Sequence, residues 1–163
     1  MHDIPVDILF LDYAKAFDSV PHKRLMKQVE SFGIQGEALK WIEAFLSNRR
    51  QQVRANGELS AFKPVLSGVP QGSILGPVLF TLYVNDIPAE LETLISLYAD
   101  DTKIYSAITS ASSIESLKSD LKKLENWAIL MQMKFHPAKC KIMHLGKNNP
   151  KANYNMTASD DTP

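Results

Sequence analysis

Apolar positions in this chain fall into two rhythms, short unbroken runs and helical stripes. The run Ile8-Leu9-Phe10-Leu11, bracketed by Asp7 and Asp12, has the length and content of a strand buried on both faces, so a first strand is predicted over residues 4–12. Leu25, Val29 and Phe32 share one helical face, which predicts a helix over 23–32 that Gly33 stops. Leu39, Ile42 and Phe45/Leu46 mark a second helix over 36–46, with Trp41 assigned to core or helix packing. Residues 50–55 and 62–66 read as a hairpin around Asn56-Gly57, a strong short turn signal. Residues 67–76 form a loop punctuated by Gly and Pro, and a helix follows over 77–86 with Pro77 in its first turn.

The second half continues in the same way. Leu94-Ile95-Ser96-Leu97 and Thr102-Lys103-Ile104-Tyr105 flank Tyr98-Ala99-Asp100-Asp101, a tight hairpin with acids at its tip. Ile114, Leu117, Leu121, Leu124 and Ala128 recur at helical spacing and predict a core-packing helix over 113–132. A last strand is predicted over 141–145. From residue 147 to 163 the chain turns polar and is expected to form a disordered tail, leaving one domain over 1–146. Without the two early helices and their hairpin, the order is strand, helix, hairpin, helix, strand. That is the split βαββαβ plan of a ferredoxin-like α+β sheet, with a helical pair and hairpin inserted.

Composition narrows the picture little. The 163 residues suffice for one core, and no apolar run approaches the length of a membrane span. The single cysteine, Cys140, excludes an internal disulfide, fits a reducing intracellular compartment, and reads as a small buried hydrophobe. Formal net charge is zero. Local basic clusters remain at His22-Lys23-Arg24, at Arg49-Arg50 with Arg54, and from Lys134 to Lys147. They suit either a nucleic-acid backbone or the solvated faces of helices and hairpins.

The acids add chemistry. Adjacent carboxylates repel, so a fold that presents Asp100 and Asp101 together usually supplies a cation; taken alone the pair would be a solvated turn. Asp12 ends its strand at a sheet rim, and alone it would be a strand-end cap. If that strand lies beside the hairpin, three carboxylates meet across 88 positions of sequence between Asp12 and Asp100. Such a rim suits two hard divalent ions that assist in-line phosphoryl transfer.

At these residues the chain resembles a known family. The phrase from Phe10 to Asp18 resembles the first palm motif of reverse transcriptases, Ser67-Gly68-Val69-Pro70-Gln71-Gly72-Ser73 their second, and Tyr98-Ala99-Asp100-Asp101 their catalytic hairpin. The wording is closest to the non-LTR (LINE-type) retrotransposon branch. The resemblance runs from about residue 7 to about residue 146 and implies a polymerase palm. It implies an RNA-directed DNA polymerase adding dNTP to a primer 3′-hydroxyl, with two Mg²⁺ ions (or Mn²⁺) on Asp12, Asp100, Asp101 and the carbonyl of Tyr13. It implies that Phe17 gates against a 2′-hydroxyl, although a core phenylalanine would occupy the same place. Gln71 and Gly72 would contact nucleotide and template, and Tyr98 would pack near the primer terminus. Asp18 is expected to serve a cap or turn. The segment from His136 to Lys141 resembles the fourth motif, with Lys139 (or, in another register, Lys141) as proton donor to pyrophosphate or simply a surface lysine; the family often has Asn where this chain has His136.

The implied partners are an RNA template, a DNA primer and dNTP, without a membrane, in the nucleus or cytoplasm. Fingers, thumb and endonuclease regions are expected in a full-length parent. A palm without fingers or thumb is expected to polymerise weakly or not at all. The alternative is a non-catalytic nucleic-acid- or protein-binding module derived from such a polymerase. A small metal-dependent phosphatase or nuclease has only the acids in its favour.

Overall fold

The computed structural model describes residues 4–87 and 90–156. The chain divides into two compact units, residues 1–14 with 86–163, and residues 15–85.

In the first unit, the apolar run forms β1 (Val6–Leu11), and its alternate residues are buried. It becomes an inner strand because both of its edges find partners. The acid-tipped hairpin is built from β6 (Leu94–Tyr98) and β7 (Asp101–Ala107), and β8 (Lys141–Leu145) closes the sheet. The spatial order is β6-β7-β1-β8, and every neighbouring pair is antiparallel. Helix α5 (Ala111–Leu130) packs on β7. Leu117, Leu121 and Leu124 lie on its buried stripe and meet Leu9, Leu11 and Ile104 of the sheet. Each fully buried leucine of this kind stabilises the fold by about 1.5–3 kcal/mol. The helix begins two residues before its predicted start because the Ser110 hydroxyl accepts a hydrogen bond from the Ser113 backbone N–H.

The second unit holds α1 (Ala16–Ser19), α2 (His22–Ser31), α3 (Gly36–Leu46) and α4 (Leu75–Val84). Between α3 and α4 lies a two-tier hairpin, β2 (Arg50–Gln51) with β5 (Lys63–Pro64) and β3 (Arg54–Ala55) with β4 (Glu58–Leu59). Asn56 and Gly57 both take positive φ, as a two-residue hairpin turn requires. Helix α4 starts two residues before the expected position because the Ser73 hydroxyl accepts the Gly76 N–H at 2.9 Å.

Three expectations are corrected. Trp41 is 61% exposed and not in the core, because Ile42 and Leu46 already complete the buried stripe of α3; of its two expected places it keeps the helix-packing one, stacking on Phe45 at 5.8 Å. Phe32 caps α2 and is exposed for the same reason, with Leu25 and Val29 filling the core. The polar segment after Lys147 is ordered through Met156. Its residue Tyr154 is buried in the sheet–helix core, and Asn149 is buried with it. Composition suggested disorder, but two of the segment's polar groups, Asn149 Nδ2 and the Tyr154 hydroxyl, are taken up by a buried partner, Asp7. Residues 157–163 of the expected tail lie outside the described residues.

Candidate active site

Asp12 directly follows Leu11, and Leu11 is paired with Thr102 across the β1–β7 ladder. Asp101 heads β7 and pairs with Tyr98, which leaves Ala99 and Asp100 as the two turn residues. The register therefore carries Asp12 and Asp101 to the same end of neighbouring strands, with Asp100 one step further out. Ala99 sits in the left-handed region at φ 53°. A non-glycine residue there costs about 1–2 kcal/mol, a strain of the kind found at functional turns.

Asp12 is held through its backbone. Its carbonyl accepts the His136 N–H at 2.7 Å, and the Ala14 N–H donates to the Lys134 carbonyl at 2.7 Å. The Tyr13 carbonyl lies between these bonds and takes part in neither; Tyr13 faces Phe135 in an isolated bridge, and their rings stack at 4.6 Å. The Tyr13 ring is buried, which pushes its hydroxyl up to about 12, and the Thr102 hydroxyl donates to it at 3.5 Å. The Asp12 N–H donates to Cys140 Sγ at 3.4 Å. Cys140 is therefore more than the small hydrophobe expected of it. It packs against the backbone of a candidate catalytic acid, and burial raises its thiol pKa. Its position directly before β8 was the only sequence signal available.

The side chains at this rim are open. Asp12 Oδ1 lies 3.5 Å from Lys139 Nζ, and both are substantially exposed, so this pair contributes about 0–1 kcal/mol. Asp100 and Asp101 are exposed, and neither makes an ion pair among the described residues. Tyr98 is 79% exposed. A groove of about 740 Å³ is lined by Asp12, Asp101, Lys103, Lys139, Lys141 and His144, among others. Carboxylate oxygens on this scale suit a hard divalent cation. Among the described residues, however, no three His, Cys, Asp or Glu side chains gather as a ready cage. The donors fit such an ion in chemistry.

The second-motif residues belong to the other unit. Gly68 has φ 85°, and a Cβ there would meet the backbone of Phe17 and Asp18 at 2.7 Å. Its carbonyl accepts from Arg49 Nη2 at 2.6 Å and sits 2.8 Å from His22 Nε2, while its N–H donates to Val20. The loop base is thus clamped, and Gln71 and Gly72 beyond it are exposed. Phe17 is half-buried and stacks on Phe80 at 4.6 Å. Asp18 takes a structural place, its carbonyl accepting from the Ser67 hydroxyl at 2.8 Å.

Residues 7–158 match the family described as reverse transcriptase (RNA-dependent DNA polymerase). The chain belongs to the reverse transcriptase family. Its relatives include the RNA-directed DNA polymerase from mobile element jockey of Drosophila funebris, 33% identical over 140 residues that cover 80% of this chain and 15% of that protein. The jockey polymerase of Drosophila melanogaster is 32% identical over 143 residues, with the same coverage of each. The probable RNA-directed DNA polymerase from transposon BS, also of Drosophila melanogaster, is 29% identical over 146 residues, again covering 80% of this chain and 15% of that protein. The chain thus spans about 15% of the length of these curated relatives. These matches give it a LINE-type reverse transcriptase domain. A structure of telomerase from Candida tropicalis with a TWJ fragment of telomeric RNA superposes with a TM-score of 0.65. That likeness covers 90% of this chain and 27% of the telomerase chain at 11% identity, and it speaks for the fold alone.

Proposed function

We propose that this chain supplies the palm acids for RNA-directed DNA synthesis, the transfer of a nucleotidyl group from dNTP to a primer 3′-hydroxyl. The observation that carries the reading is the β1–β7 register, which brings Asp12 and Asp101 to one groove beside the turn residue Asp100. The strand order β6-β7-β1-β8, with chain order strand, helix, hairpin, helix, strand, supports a ferredoxin-like palm. Asp12, Asp100, Asp101 and the Tyr13 carbonyl would hold divalent ions. When bound, these supply Lewis acidity at the attacking and leaving oxygens.

The remaining roles belong to the chain's own groups. Lys139, 3.5 Å from Asp12, is the candidate to protonate a departing pyrophosphate ahead of Lys141, which lines the same groove without that contact. Lys103 and Lys141 line the same groove and draw polyphosphate to it. Gln71 and Gly72 meet nucleotide and template, Phe17 excludes a 2′-hydroxyl, and Tyr98 packs on the primer end. The RNA template and DNA primer locate the protein in the nucleus or cytoplasm. Among the described residues no helix is long and apolar enough to cross a membrane.

Single-nucleotide addition to an RNA-annealed primer, with protein in excess and Mg²⁺ or Mn²⁺ present, tests the reading. Slow addition by the unmodified chain and a loss of about 10³-fold in Asp12→Asn and Asp100→Asn are expected. Equal addition by these variants would overturn it. A second reading, a nucleic-acid-binding module without catalysis, is favoured by the Asp12–Lys139 contact. Nucleic-acid binding with no addition in any form of the chain would select it.

A further inference from the structure

We infer that the two-tier hairpin is a contact surface for single-stranded nucleic acid, a strand that runs on into the groove beside Gln71. The inference rests on the polymerase reading for the strand's identity as template, but not for the binding itself.

The hairpin has no core of its own. Every residue from Gln51 to Pro64 is exposed. A two-stranded ribbon exposed on both faces is marginal in water, so its retention calls for a partner. The ribbon is nonetheless ordered by side chains: the Ser60 hydroxyl accepts the Val53 N–H at 3.0 Å, and Gln52 Nε2 donates to the Ser60 carbonyl at 2.7 Å.

Its charge is predominantly of one sign, and Arg50 and Lys63, on successive rungs, carry it to both faces of the ribbon. Arg50, Arg54 and Lys63 face a single acid, Glu58, in a chain whose net charge is zero. None of these three cations makes an ion pair among the described residues. Phe62 is 62% exposed, and the Arg50 guanidinium lies over one side of its ring at 5.8 Å. Cations that track phosphates, interleaved with an open aromatic ring on which a base stacks, are what a single strand recognises. A duplex offers no free base faces, and an acidic protein segment gains nothing from the ring.

The surface continues into a groove of about 490 Å³ at the hairpin's base. Arg50 and Gln51 line it from the hairpin, and Ser67, Gly68 and Gln71 from the clamped loop. A strand on the hairpin therefore has a polar path to the residue expected to meet the template. All of these residues lie in one compact unit.

Fluorescence anisotropy with a labelled oligouridine, in EDTA and without dNTP, tests this across a potassium chloride titration. This readout does not depend on catalysis, so the hairpin and the polymerase reading can fail separately. Replacing Arg50, Arg54 and Lys63 together by alanine is expected to weaken binding at least about tenfold at low salt and to reduce the log–log salt slope by about 2. Exchanging Arg for Lys and Lys for Arg at the same positions restores the slope, which separates charge from folding. Phe62→Ala weakens binding about fivefold with the slope unchanged. Unaltered affinity and slope in the alanine variant would overturn the inference. So would displacement of the oligonucleotide by polyglutamate as readily as by unlabelled oligouridine, which would assign the surface to an acidic protein.

Discussion

Strand β1 carries one aspartate just inside each end, or just past it, and the two could hardly be treated more differently. Asp7 is wholly buried. Its Oδ1 accepts from His144 Nδ1 and Asn149 Nδ2, each at 2.7 Å, and its Oδ2 accepts from the Tyr154 hydroxyl at 2.6 Å. Burial opposes its ionisation, but the three donors together hold its carboxyl below the usual carboxylate range. The same contact raises the Tyr154 hydroxyl, with burial the larger cause. Asp12, five residues on, is half-exposed and has one loose lysine contact. A buried acid with both oxygens engaged by three donors fastens distant segments together. An acid left open at a rim remains available to a ligand. The strand thus separates a carboxylate committed to internal hydrogen bonds from one left open.

The largest test of this contrast exchanges the two roles. Asp7→Asn removes a buried charge from three donors and should cost about 3 kcal/mol of stability in urea unfolding. Asp12→Asn should leave stability within about 0.5 kcal/mol, because an exposed pair contributes little. A neutral Asp7→Asn, or an unstable Asp12→Asn, would break the comparison.

Acid should sharpen it. A carboxyl whose folded pKa is depressed adds stability above its unfolded value and loses it as pH falls through the folded one. Asp7 therefore contributes in full above its ordinary 3.8, and its contribution drains away below that. Asp120 behaves alike. It is buried and accepts from the Thr93 N–H and hydroxyl and from Lys123, which outweigh its desolvation. Unfolding followed from neutral pH to about pH 2 should show a falling limb that Asp7→Asn flattens only in part, because Asp120 remains. A limb unchanged in Asp7→Asn would deny the buried acid its role.

The smallest expected effect has the opposite sign. Ala99→Gly relieves the left-handed turn and should stabilise the chain by about 1 kcal/mol. If that strain holds Asp100 in place, nucleotide addition falls as stability rises; parallel gains in both would show that the strain is incidental.

Local patterns made much of the fold readable. Asn56-Gly57 announced its turn, the apolar stripe of 36–46 became α3, and 141–145 became β8 without adjustment. The rim acids were readable because strand ends and tight turns are local features. Asp7 was not, since His144, Asn149 and Tyr154 lie 137 to 147 positions away and nothing nearby marks the pairing. The polar segment was misjudged for the same reason: composition counts polar groups and does not see which buried partner satisfies them. Cys140 does pack against the core as a partly buried hydrophobe, but its contact with the backbone of Asp12 was not legible, since no residue pattern encodes it.

The most direct measurement is Mn²⁺ uptake read by electron paramagnetic resonance on the full chain with a dNTP present. Uptake is expected in the unmodified protein and in Asp7→Asn at a temperature where it is folded, and loss of uptake in Asp12→Asn and Asp100→Asn. Uptake that survives both rim substitutions, or that disappears with Asp7→Asn while the protein is still folded, would contradict the proposed role of the rim acids.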